Sequence, residues 1–205
     1  MTESVIFEPS ARFKSILIFG PPGSGKGTQG KFLSSAGNHF HLSSGDIFRG
    51  LSPESPAGKV YHKYASKGNL VPDEVTIRIW HHYVLGLIAT NRYLPNDQYL
   101  LLDGIPRTVE QAKLLEQHIE IEAIIVLGAT KQSTLLKRMQ RRALIEKRHD
   151  DMDQNVLKKR FEVYNKATKK VLTYYKDQNI YTFEASKKPL EVLRDILDEL
   201  CYILA

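Results

Sequence analysis

The run Ile18-Phe-Gly-Pro-Pro-Gly-Ser-Gly-Lys-Gly-Thr28 places glycines, a lysine and a hydroxyl directly after an apolar stretch. Backbone N–H groups of such a loop converge into an anion nest. Gly20, Gly23 and Gly25 allow the dihedral angles it needs, and a helix beginning near Lys26 adds its positive N-terminal end. Lys26 then reaches the terminal groups of a bound phosphate chain, with Gly23, Ser24, Gly25, Gly27 and Thr28 wrapped around it. In the general form of this loop the lysine is followed by Ser or Thr, a magnesium ligand; here Gly27 stands there with Thr28 behind it. A glycine turn that merely caps a helix does not require strand, spacing, lysine and helix to agree.

Further polar motifs follow in order: Ser43-Ser-Gly-Asp-Ile-Phe-Arg49, then Lys67-Gly-Asn-Leu-Val-Pro-Asp-Glu74, then Leu102-Asp-Gly-Ile-Pro-Arg-Thr-Val-Glu-Gln111. Beyond them come Arg138, Arg142, Arg148, the pair Asp150-Asp151, and Arg160. Arg138 and Arg142 are one helical turn apart and share a face. An isolated surface arginine is usually a solvated charge. Arg107 departs from that because it follows a strand end in a Gly-x-Pro-Arg turn, and Arg148 because it is paired with Asp150 and Asp151; Arg141 does not.

Taken in this order the motifs resemble those of the nucleoside monophosphate kinases, and Asp103-Gly-Ile-Pro-Arg-Thr108 resembles the adenylate kinase signature, with Ile105 where that family has Phe. The resemblance spans roughly residues 15–200. It implies that Arg49 and Arg107 hold the acceptor phosphate and that Arg142, Arg148 and Arg160, with Lys26, converge on the transferring group. It also implies that Arg138 lies against the donor base. Ser44, Gly45, Leu70, Val71 and Gly104 would line the AMP site, with Gln111 bonding adenine. Asp103 would hold water around a magnesium ion, with Asp46 assisting. The implied reaction is ATP plus AMP to two ADP with Mg2+. Only five residues separate Arg142 from Arg148, so the lid resembles the short form, a loop over 141–151 with no structural zinc. The spacing from Asp151 to Arg160 is one residue longer than usual, which either sits in the turn before the helix or rotates Arg160 away from the phosphates; the turn is the expectation. Ile105, shorter than Phe and without a π face, is expected to weaken the AMP pocket.

Such chemistry needs no general base, because an acceptor phosphate with a second pKa of about 6 is largely a dianion near neutral pH. Positioning and charge neutralisation do the work, and guanidinium groups offer the fixed bidentate geometry for it. Two alternatives stand beside this reading. A pyrimidine monophosphate kinase is argued against by Gln111, while Ser44 is less decisive. A basic nucleic-acid-binding protein on a kinase fold rests only on the charge excess, 29 Lys and Arg against 23 Asp and Glu, a net +6. No Asn-Lys-x-Asp base-reading motif of GTPases is present.

To position these residues the chain needs strands ending just before them. Ser15–Phe19, Tyr99–Leu102 and Ile124–Leu127 read as buried parallel strands, with Ile180–Phe183 and Phe40–Leu42 as weaker ones. Pro72, Asp73 and Glu74 open a helix carrying Ile77, Trp80, Val84 and Leu87 on one face. Leu157, Phe161, Tyr164 and Val171 mark a second helix, and Leu193, Ile196, Leu197 and Leu200 the last. Leu51–Gly58, with two prolines, reads as irregular. Strands alternating with helices predict a P-loop three-layer, doubly wound α/β fold. Its central parallel sheet has five strands, in the order 2-3-1-4-5 by resemblance. One kinase domain over 1–205 carries a helical acceptor-binding insertion at 43–71 and the short lid.

Composition sets the remaining bounds. With 205 residues, 42% hydrophobic and 25% charged, the chain is of the globular class. One cysteine, Cys201, excludes an intrachain disulfide and a multi-cysteine zinc site; it is expected to be packed in the last helix. No apolar run approaches the roughly 20 residues of a membrane helix, and no signal-peptide pattern opens the chain. The expectation is a cytoplasmic monomer that binds small nucleotides, with no membrane and no specific nucleic acid. His81 and His82, beside Trp80, read as structural.

Overall fold

The computed structural model of the chain describes residues 12–65, 67–128, 130–146 and 153–204. Five parallel strands, β1 (Phe13–Phe19), β2 (Phe40–Ser43), β3 (Leu100–Asp103), β4 (Ile119–Gly128) and β5 (Ile180–Glu184), form one sheet in the order β2-β3-β1-β4-β5. The apolar runs fall in the middle of the sheet, where both faces are covered: Leu100, Leu101 and Leu102 are fully buried, as are Ile16 and Leu17. The two runs with weaker apolar character are the edge strands. β4 starts five residues before the expected Ile124, because the alternation Ile119-Glu-Ile-Glu122 puts its glutamates at the open end of the sheet. There Glu120 stands opposite Lys14 of β1.

Helices cover both faces. α1 (Lys26–Gly37) and α9 (Pro189–Leu204) lie on one, where Leu33, Val192, Ile196 and Leu200 meet Ile16, Ile18 and Ile125. On the other, α4 (Asp73–Ala89) sets Ile77, Trp80, Val84 and Leu87 against Leu17, Leu100 and Leu102, with Phe13 edge-on to Trp80 at 6.3 Å. α5 (Val109–Leu115) adds Ala112 and Leu115 to that core. His81 stacks on His118 with ring centroids 4.1 Å apart.

Between β2 and α4 run α2 (Ser44–Arg49) and α3 (Pro56–Ala65). The stretch expected to be irregular ends earlier than Gly58, since Pro56 occupies the first position of α3, where its missing N–H is no loss. The lid expectation also needs correction at its start. Arg141–Glu146 complete α6 (Gln132–Glu146) instead of beginning a loop, for Arg-Arg-Ala-Leu-Ile-Glu contains neither glycine nor proline to stop the helix. Arg148, Asp150 and Asp151 fall outside the described residues.

The helix expected to carry Leu157, Phe161, Tyr164 and Val171 together is three pieces: α7 (Gln154–Val163), a π-helical turn at Tyr164–Thr168, and α8 (Lys169–Tyr174). Leu157 and Phe161 pack with Leu135 and Met139 of α6, in a cluster of their own. Val171 and Tyr175 enter the core under the sheet. The wide i→i+5 turn redirects the apolar stripe from one to the other. Cys201 is exposed rather than packed, because the buried stripe of α9 is Val192, Ile196, Leu200 and Leu204 and position 201 lies about 100° off it.

Candidate functional site

The carboxyl ends of β1, β2 and β3 open into one cleft, the crevice where doubly wound sheets bind ligands. Its floor is the loop after β1. Gly25, with φ 100°, caps α1 without a side-chain bond, and no acidic residue sits in that helix's first turn, which leaves its amides directed outward for an anion. Gly23 has φ 81°, and a Cβ there would stand 2.7 Å from the Leu135 carbonyl oxygen, so α6 can approach only a glycine. Lys26 Nζ donates to the carbonyls of Gly20 at 2.8 Å and Pro21 at 3.2 Å, folding the lysine back along its own loop. Burial of this ammonium, with Arg107, Arg160 and Arg142 acting in the same direction and Asp103 against, lowers its pKa to about 8. Thr28 lies exposed at the start of α1, and Ser24 Oγ is buried with no hydrogen-bond partner among the described residues.

Arg107 is held from four sides. Its Nε donates to the Gly104 carbonyl at 2.7 Å and a terminal nitrogen approaches Ser44 Oγ at 3.4 Å. Its backbone N–H donates to Gln111 Oε1 at 2.8 Å, and its carbonyl accepts from Thr168 Oγ1 at 3.2 Å. Burial lowers the Arg107 pKa to about 10, with Arg160 acting the same way, so it is a cation at pH 7 in a place less favourable to cations than water. Ser44, almost fully buried, donates to the Gly104 carbonyl at 2.6 Å. Arg49 pairs with Asp46 one helical turn earlier. Asp46 also lines the opening that flanks this cleft, together with Asp103.

The residues predicted from sequence divide between two adjoining openings. Ser44, Gly45, Arg49, Leu70, Val71 and Gly104 line the main cleft, where they are joined by Arg107, Gln111 and Arg160. The flanking opening is lined by Ser24, Gly25, Gly27, Thr28 and Arg138. Gly23, Lys26, Asp103 and Arg142 border both. Arg138 and Arg142 share a face of α6 as their spacing requires, and Arg138 donates to the Ala185 carbonyl at 2.7 Å. Arg160 faces the main cleft from α7, whose N-terminus is capped by the Asp153 carboxylate. Asp103, at the end of β3, has His41 Nε2 as its nearest ion-pair partner at 4.0 Å, and burial keeps the His41 pKa low.

Ile105 is 2% exposed and packs in the same apolar core as Leu42, Ile47 and Ile77, while it also borders the main cleft beside Gly104 and Arg107. Sequence reasoning also passed over the wall of the main cleft formed by Phe48 and Tyr61, whose rings stack 5.4 Å apart. Only the Asp-x-x-Arg spacing hinted at Phe48, and nothing marked Tyr61.

Fold and site together define a P-loop phosphotransferase of the doubly wound α/β class, with a second, helical wall to its cleft. The adenylate kinase family model matches residues 18–180. The adenylate kinase of Flavobacterium johnsoniae is 38% identical over 171 residues, covering 80% of this chain and 86% of its own length. That of Clostridium tetani is 32% identical over 216 aligned residues, with coverage of 89% and 96%, and adenylate kinase 1 of Schistosoma mansoni is 34% identical, with coverage of 86% and 87%. The chain belongs to the adenylate kinase family and is a phosphotransferase acting on nucleoside monophosphates.

Proposed function

We propose that the main cleft takes AMP and the flanking opening takes ATP, and that the terminal phosphoryl group passes between them beside Lys26. The observation that carries this reading is the convergence of Lys26, Arg107, Arg142 and Arg160, from four separate segments of chain, on one cleft. An oxygen of the AMP phosphate forms the new bond to the γ-phosphorus as the bridging β–γ bond breaks, and with a dianionic acceptor no proton need move. Arg49 and Arg107 orient the AMP phosphate. Lys26, Arg142, Arg160 and, outside the described residues, Arg148 neutralise the transferring group. Ser44, Gly45, Leu70, Val71 and Gly104 shape the AMP pocket and Gln111 reads the base. Gly23 to Thr28 wrap the ATP phosphates, and Arg138 lies against the donor base. The clustered cations disfavour one another, and a bound polyanion would relieve that repulsion.

The family's reaction uses MgATP, and the residues present fit the ion: Asp103 is a hard oxygen donor at the mouth of the phosphate loop, and a side chain on Gly27 would approach its Oδ2 to 3.5 Å. Asp103 would hold it through water. Bound there, Mg2+ would spread the charge of the donor phosphates. Among the described residues no group of three or more His, Cys, Asp or Glu is placed to hold a metal, which suits an ion carried chiefly by phosphate and water. The segments 43–71 and 141–151 would close over the ligands and exclude water that would otherwise take the phosphoryl group. No described helix is long and apolar enough to cross a membrane; the reading is of a monomeric cytoplasmic enzyme with no zinc and no specific nucleic-acid partner.

A coupled assay with MgATP and AMP, CMP, UMP or GMP tests the proposal. AMP should be preferred. A preference for CMP or UMP would replace this reading with that of a pyrimidine kinase.

A further inference from the structure

Asp73 is the first residue of α4, where the helical wall of the main cleft rejoins the core. Its Oδ1 accepts two hydrogen bonds, from Thr108 Oγ1 and from Gln111 Nε2, each 2.9 Å long. The Gln111 side chain is 1% exposed, and its other end, Oε1, accepts the backbone N–H of Arg107 at 2.8 Å. An amide can usually satisfy its surroundings in either of two orientations. Here a carboxylate that only accepts stands at one end and an N–H that only donates at the other, so only one orientation satisfies both.

We infer that Asp73 is a positioning residue that locks the Gln111 amide and the Arg107 turn, and through them makes the main cleft select 6-amino over 6-oxo purine acceptors. The inference rests on the proposed reading of Gln111 as the base contact. With Nε2 and Oε1 each engaged once, the amide retains one N–H and one lone pair for a ligand, in fixed order. Adenine offers a matching pair, the N7 acceptor beside the N6 amino donor, whereas a 6-oxo purine offers two acceptors there and leaves Oε1 facing an oxygen. Once the amide is free to turn, its N–H group can meet O6 and that mismatch shrinks. The same lock ties the end of the 43–71 segment to the backbone of Arg107. Thr108, the N-cap of α5, whose hydroxyl also accepts from the backbone N–H of Gln111 at 3.0 Å, closes the network.

The test compares AMP and IMP as acceptors with MgATP in wild type, Asp73→Ala, Asp73→Asn and Glu74→Ala. Asn keeps an oxygen where Asp73 has one and loses only the charge. Glu74→Ala removes a neighbouring charge from the same helical turn. Asp73→Ala should raise the KM for AMP about tenfold, the size of one lost buried hydrogen bond, and narrow the preference for AMP over IMP by a similar factor. The KM for ATP should stay within about twofold. Asp73→Asn should return most of both losses, and Glu74→Ala should show neither. If Asp73→Ala does not fold, Asp73→Ser, too short to reach Gln111, takes its place with the same expectation. Values for Asp73→Ala within twofold of wild type overturn the inference, as does an Asn variant as impaired as Ala, or a Glu74→Ala variant that matches Asp73→Ala. A wild type indifferent between AMP and IMP overturns instead the reading of Gln111 on which the inference rests.

Discussion

Replacing Lys26 by Met should make the protein more stable and nearly inactive at once. In the fold the lysine pKa falls from 10.5 to about 8 through burial. That corresponds to about 3 kcal/mol of charging made less favourable in the fold than in the unfolded chain. The side chain borders an open cleft where water screens it, and Met also leaves the Gly20 and Pro21 carbonyls without its bonds. A gain of about 1–2 kcal/mol is therefore expected, or a Tm higher by about 3–6 °C for a chain of this size. The pH dependence has a definite sign. Between pH 8 and 10.5 the unfolded chain binds the extra proton, so wild-type stability rises with pH in that window. The advantage of Lys26→Met should be complete below pH 8 and vanish above 10.5. Calorimetry across pH 6–11 measures it, and the coupled assay should show kcat/KM lower by at least about a hundredfold, as when one electrostatic stabiliser is lost. A variant with a lower Tm at pH 7, or one that retains more than a tenth of the activity, would refute the argument that the fold holds a strained cation for its ligand.

Arg107→Ala should keep the circular dichroism spectrum and lose at least about a hundredfold in kcat/KM; a loss under tenfold would mean the site is misassigned. Ile105→Phe, which restores the residue of the resembled motif, should lower stability by about 1–3 kcal/mol through overpacking, read by urea unfolding. A variant as stable as wild type with a tighter KM for AMP would show that the side chain reaches the ligand after all. Activity should require magnesium and survive a zinc-selective chelator with magnesium in excess, and loss of folding under that treatment would contradict the short-lid reading.

The central strands were legible because their apolar runs end at Gly20, Asp103 and Gly128, and buried parallel strands tolerate little but apolar residues; the order of the strands came from the resemblance. Strand limits were less so, as with Ile119–Glu122, whose glutamates are explained only by a partner strand carrying Lys14. The phosphate loop and Arg107 were legible from local spacing alone. Three features were not. The side of Ile105 that is buried depends on the core around it, the path of the stripe from Phe161 to Val171 depends on a π-turn that no residue type announces, and the network at Asp73 joins positions 34 to 38 residues apart in sequence. Cys201 was misjudged because a helical stripe can be assigned two ways when Leu193, Ile196, Leu197 and Leu200 all fall near one face.

The π-turn at Tyr164–Thr168 also bears on how a chain like this can change length. In a continuous α-helix, one residue gained or lost after Arg160 would swing all that follows by about 100°. Then either the arginine would leave the cleft or Val171 and Tyr175 would leave the core. A turn that already accommodates a surplus residue uncouples the two ends: the cleft fixes the phase on one side and the core fixes it on the other. Insertions and deletions in a lineage should therefore accumulate at this turn sooner than elsewhere in the two helices, with the Thr168 bond to the Arg107 carbonyl marking where the tolerance ends.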